Sequence, residues 1–89
     1  MNLRVFLHPK AARVLSNMDQ SLRERVRQHL KELEDSPEKK GERLAHSPFW
    51  KLSVGDYRVI YEIDRAAGRV IVLFIGHRRD IYDDLGRLV

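Results

Sequence analysis

From Phe49 onward the hydrophobic period is two, and two short turns cut that stretch into three pieces. This feature restricts the fold more than any other in the chain. Trp50, Leu52 and Val54 alternate with Lys51 and Ser53 before Gly55-Asp56, a two-residue hairpin signal. Tyr57, Val59, Tyr61 and Ile63 then alternate with Arg58, Ile60, Glu62 and Asp64. Arg65-Ala66-Ala67-Gly68 makes a second turn, and Val70 to Ile75 is a continuous apolar run that Gly76 is expected to end. Turns this short force antiparallel pairing, so residues 49–76 read as a three-stranded meander.

The segment before it changes period. Residues 3–7 read as a short strand. Pro9 then suits the first turn of a helix carrying Ala11, Val14, Leu15 and Met18 on one face. Asp19 is the expected N-cap of a second helix with Leu22, Val26, Leu30 and Leu33 as its stripe, ended at Ser36-Pro37. Residues 37–48 read as a polar surface connection, and residues 78–86 as a short terminal helix or tail. The expected class is α+β: an N-terminal strand, an antiparallel helix hairpin, and a meander completing a four-stranded sheet. Residues 1–89 are read as a single domain whose helices cover one face of the sheet.

The Gly55-Asp56 turn fixes a register in which Val54 faces Tyr57, Ser53 faces Arg58, and Lys51 faces Ile60. Trp50, Leu52, Val54, Tyr57, Val59 and Tyr61 then share the helix-covered side. Lys51, Ser53 and Arg58 share the other, with the two cations about 5–8 Å apart at the backbone. The return strand brings Ile75 level with Arg58, so Arg78 emerges near Arg58 and Lys51, with Tyr82 within reach. Cations gathered without intervening carboxylates imply an anionic ligand.

Composition narrows the chemistry. The 17 Lys and Arg against 13 Asp and Glu leave a net charge of +4, a balance that favours polyanionic partners. Cysteine is absent, which removes disulfides and thiolate chemistry, and the four histidines are scattered, so no metal or other cofactor is expected. No apolar run approaches a membrane span, and the N-terminus does not read as a signal peptide, which points to a cytoplasmic protein. RNA brings its own nucleophile, the 2′-hydroxyl, so cations that stabilise phosphoryl charge suffice for much of its cleavage. Tyr82 is suited to stacking on a base. Crowding by Arg58 and Arg78 is expected to weaken the hold of Lys51 on its proton, and His77 is a second candidate for proton transfer.

The run Trp50-Lys51-Leu52-Ser53-Val54-Gly55-Asp56-Tyr57-Arg58-Val59-Ile60-Tyr61, followed by Gly76-His77-Arg78-Arg79-Asp80-Ile81-Tyr82, closely resembles the RelE/ParE toxin superfamily, its RelE branch above all. The resemblance implies a toxin of a toxin–antitoxin pair that cleaves messenger RNA in the ribosomal A site, without metal, leaving a 2′,3′-cyclic phosphate. Carried over by position, Lys51 transfers a proton and stabilises charge, Arg58 stabilises the transition state, Arg78 assists the leaving oxygen, and Tyr82 stacks on a nucleotide. Lys51, Ser53 and Arg79 would contact the RNA. Phe49 and Ser53 stand where relatives often carry a second lysine and an arginine. Some relatives use histidine and glutamate, which keeps His77 and Glu62 in reserve.

The implied partners are the ribosome with its message and a RelB-like acidic antitoxin, in a heterotetramer or larger assembly that binds DNA through the antitoxin. Two alternatives stay open: a ParE-like inhibitor of DNA gyrase, and a degenerate toxin that only binds its antitoxin.

Overall fold

The structure, a computed structural model, describes residues 2–81. Its elements are β1 (Arg4–Leu7), α1 (Pro9–Ser16), α2 (Gln20–Leu33), α3 (Pro37–Lys40), β2 (Glu42–Arg43), β3 (Phe49–Val54), β4 (Tyr57–Asp64) and β5 (Arg69–His77). They build a five-stranded sheet in the order β1-β5-β4-β3-β2, in which β1 runs parallel to β5 and every other pairing is antiparallel. The α+β class stands, with one strand and one short helix more than the sequence led us to expect.

Local chemistry starts both long helices at Pro9 and after Asp19 as anticipated, while α2 ends at Leu33, ahead of the expected Ser36-Pro37 stop, and Pro37 opens α3. His8 caps α1, its Nδ1 accepting from the Lys10 amide at 3.2 Å, and Pro9 occupies the first turn. The Asp19 carboxylate caps α2 by accepting from the Leu22 amide at 3.3 Å. Apolar stripes of both helices pack on one face of the sheet, where Ala11, Leu15, Val26, Leu30 and Leu33 meet Leu52, Val54, Val59, Tyr61, Val70 and Val72. Trp50 packs against this core, with its ring stacked 6.4 Å from that of Tyr61.

The β3–β4 register is the expected one, pair for pair: Val54 with Tyr57, Ser53 with Arg58, Lys51 with Ile60. The next hairpin is one residue out. Val72 pairs with Tyr61 but Phe74 pairs with Ile60, which leaves Leu73 as an extra residue in β5. Arg58 therefore stands opposite Gly76, not Ile75. This bulge keeps Ile75 in the core opposite Val59 and turns the smallest side chain toward Arg58. Gly76 also lies within β5 instead of ending it.

The connection 37–48 is more than a surface loop. Helix α3 and strand β2 form a strap along the β3 edge, and β2 pairs Glu42 with Lys51 and Arg43 with Trp50. The buried Tyr61 hydroxyl donates to the Pro37 carbonyl at 2.6 Å. A Cβ on Gly41 would fall on that hydroxyl and lie 2.8 Å from the Lys51 carbonyl, so the strap closes only with glycine there. Burial, together with the nearby Glu38 carboxylate, pushes the Tyr61 phenol up to about 12. Outside, Arg65 grips Glu38 through two nitrogens, with Nε 3.1 Å and Nη2 2.5 Å from its oxygens, and this hydrogen bonding holds the carboxyl below its usual range.

Candidate functional site

The face of the sheet away from α1 and α2 carries the charged residues singled out by alternation. Its rows follow from the register: Glu42, Lys51, Ile60 and Phe74 form one, and Ser53, Arg58 and Gly76 the next. The face is only partly open. Ile60 is fully buried although it points away from the helices, and Ile81 is buried as well. After β5 the chain turns back, and the Ile81 side chain sits over Gly76, 3.2 Å from where a Cβ would stand. Gly76 thus makes room for Ile81 beside Arg58.

Arg58 is half-buried, not fully exposed as expected. Its Nη1 donates to the carbonyls of Gly55 and Tyr57, each at 2.9 Å. The guanidinium is therefore aimed by the very turn that sets the register, and Gly55 holds that turn with φ at 59°. Arg78 arrives at the same turn. Its amide donates to the Asp56 carbonyl at 2.8 Å, and its Nε lies 3.9 Å from the Asp56 carboxylate. A third arginine joins them from α2: the Arg25 guanidinium approaches to within 3.7 Å of the position a Gly55 Cβ would take. Sequence reasoning missed Arg25, because nothing local to α2 says which exposed arginine overhangs a turn thirty residues away.

Lys51 lies in the row beside Arg58. Its ammonium has Glu42 as its partner, Nζ to Oε2 3.8 Å. The expectation of a cation cluster free of carboxylates is corrected here: Lys51 has Glu42 and Arg78 has Asp56. The crowding of Lys51 by arginines is likewise replaced by a carboxylate directly across the strand. Glu42 went unnoticed in the sequence because its two-residue strand has no periodicity to read. Ser53 is exposed and opposite Arg58.

The reserve residues separate. His77 pairs with Tyr57 and packs edge-on against its ring at 5.6 Å, so it faces the side opposite Arg58. Its Nδ1 accepts from the Arg79 amide at 3.2 Å and from Arg79 Nε at 3.3 Å, which ties down Arg79 too. Glu62 is on the Arg58 face but four residues along β4, about 13 Å away at strand rise. Tyr82 lies outside the described residues. Among the described residues, no group of three His, Asp or Glu side chains is arranged to hold a metal ion.

Between α3 and β3 this face runs into a cavity of about 320 Å³ lined by Lys39, Lys40, Gly41, Glu42, Lys51, Leu52 and Ser53. The arrangement as a whole is a guanidinium beside a hydroxyl, an ammonium paired with a carboxylate, and a basic hollow next to them. Such a set can hold a phosphodiester and neutralise charge that builds on its oxygens.

Comparison with known proteins bears on the fold and the family. No curated protein sequence matches the chain. Solved structures do, and at these identities they speak for the fold. The RelBE2 toxin–antitoxin complex from Mycobacterium tuberculosis is 22% identical, with a TM-score of 0.77 over 86% of this chain and 99% of that one. An archaeal RelE–RelB complex from Pyrococcus horikoshii is 25% identical, with a TM-score of 0.76 over 88% and 97%. A free mutant of the E. coli toxin RelE is 20% identical, with a TM-score of 0.79 over the full length of both chains. The family model for the ParE toxin of the type II toxin–antitoxin system, parDE, matches residues 5–82. The chain, with its RelE-like fold, belongs to the RelE/ParE superfamily of type II toxins.

Proposed function

We propose that this toxin is an endoribonuclease that cleaves messenger RNA in the ribosomal A site. In this reading the 2′-oxygen attacks phosphorus, the bond from phosphorus to the 5′-oxygen breaks, and the products are a 2′,3′-cyclic phosphate and a free 5′-hydroxyl. Arg58 stabilises the negative charge on the non-bridging oxygens, and its two bonds to turn carbonyls pre-aim it for that work. Lys51 adds a second positive charge. The Glu42 carboxylate beside it is suited to accept the 2′-proton, a step that arginine cannot perform. Arg78 offsets charge on the departing 5′-oxygen, which takes its proton from water. Tyr82 stacks on a base, and Ser53 contacts the RNA; Arg79, held by His77 on the other face, is left out of this reading. The ribosome holds the message in the in-line shape.

One observation carries the reading: Arg58, Ser53, Lys51 and Glu42 occupy adjacent rows of one sheet face, next to a basic hollow. An acidic, RelB-like antitoxin belongs to the same reading, since the structural relatives include complexes of RelE with RelB. So do a cytoplasmic location and an assembly that binds DNA through the antitoxin. The name carried by the matching family favours a second reading, a ParE-like gyrase inhibitor that cuts no RNA. Purified protein added to programmed ribosomes separates the two. The nuclease yields message fragments ending in cyclic phosphate. The gyrase inhibitor leaves the message whole and blocks DNA supercoiling.

A further inference from the structure

The hollow between α3 and β3 has a use beyond the scissile bond. It shares Lys51 and Ser53 with the proposed catalytic face, and its far wall is Lys39, Lys40 and Gly41. That wall is fastened residue by residue. Pro37 accepts from the Tyr61 hydroxyl, Glu38 is gripped by Arg65, Lys40 pairs with Glu32 at 3.1 Å, and Gly41 is wedged against Tyr61 and the Lys51 backbone. Of the three charged residues of α3, Lys39 alone has neither an ion-pair partner nor a side-chain hydrogen bond among the described residues. A surface lysine on a mobile loop loses much conformational entropy when it takes a ligand. Lys39 instead projects from backbone already immobilised beside the hollow.

The geometry points to a subsite for the RNA backbone in this hollow, where Lys39 binds a phosphate one or two nucleotides away from the bond held at Arg58. Lys39 is a binding residue here and takes no part in bond cleavage. The carboxylate in the hollow, Glu42, is already matched to Lys51, which leaves the Lys39 charge for the ligand. The strand would run from the Arg58 row past Ser53 and Lys51 into the hollow, so the proposal makes occupancy depend on length: a longer strand would engage Lys39 and a dinucleotide at the scissile position would not. This inference rests on the nuclease reading, and the test keeps the two apart.

The probe is a labelled single-stranded RNA octamer carrying 2′-O-methyl groups, which blocks cleavage, with binding read by fluorescence anisotropy over a range of salt. Lys39→Ala is expected to weaken octamer binding about three- to tenfold and to lower the salt slope by about 0.7, the value for one lost phosphate contact on a single strand. Lys39→Arg keeps both, and dinucleotide affinity is the same in all three proteins. Lys10→Ala, which removes an exposed lysine from α1, serves as the control for general surface charge. Unchanged octamer affinity in Lys39→Ala, or an equal loss in Lys10→Ala, overturns the subsite while leaving the nuclease reading in place. Failure of the unsubstituted protein to bind the octamer, coupled with intact message on the ribosome, overturns both.

Discussion

Arg58 is the residue on which most depends, and it does two things at once. In the proposed nuclease its guanidinium would meet a phosphate, and it bonds the carbonyls of Gly55 and Tyr57. Arg58→Ala is therefore expected to abolish cleavage and also to cost about 0.5–1.5 kcal/mol of stability from the lost turn bonds. Arg78→Ala, at an exposed side chain, is expected to abolish cleavage with little change in melting temperature. Activity on programmed ribosomes and thermal unfolding check both, and an active Arg58→Ala protein contradicts its assignment. Glu42→Gln keeps the shape of the side chain and removes the proton acceptor. Cleavage should drop by about 10²–10⁴-fold while RNA binding holds. Arg58 was legible in the sequence because Gly55-Asp56 sets the register. Glu42 was not, because only its pairing with Lys51 across a two-residue strand gives it meaning.

At the scale of elements, the strap formed by α3 and β2 is what places Glu42 and Lys39 near Lys51. It hangs on Tyr61. Tyr61→Phe strands the Pro37 carbonyl and is expected to cost about 1–3 kcal/mol, read from denaturant unfolding. Gly41→Ala forces Tyr61 and the Lys51 backbone apart, so stability and cleavage should fall together. The strap also has a pH signature. The phenol of Tyr61 is held neutral in the fold with its value raised from 10 to about 12, so its contribution is whole below pH 10 and is lost as pH rises toward 12. The lowered Glu38 gives the opposite sign: the Arg65 contact helps above the usual glutamate value and disappears as pH falls through the depressed one. Stability curves of Tyr61→Phe and Glu38→Gln should each lose one of these two slopes. The strap escaped sequence reading because four helical and two strand residues are specified by distant contacts, not by local pattern. The β5 bulge escaped for a related reason: in a continuous apolar run no alternation marks the extra residue, and the unbulged count puts Ile75 where Gly76 stands.

At the scale of the whole molecule, one sheet divides the labour. The side under α1 and α2 is core, and Trp50→Ala there should cost near the lower end of the about 3–5 kcal/mol typical of large aromatic truncations, since Trp50 is half-buried. The other side gathers groups from β2, β3, β4 and the chain after β5, which no single segment holds. An antitoxin that masks this side by charge should bind an Arg58→Ala, Arg78→Ala double variant more weakly, measured by calorimetry. Equal affinity places its grip elsewhere. The most direct measurement is the fate of a message on programmed ribosomes incubated with the purified toxin, alongside its Arg58→Ala variant. Cuts within the A-site codon, with cyclic phosphate ends, are expected from the unsubstituted protein alone. Intact message in both, together with a block of gyrase supercoiling, contradicts the nuclease reading.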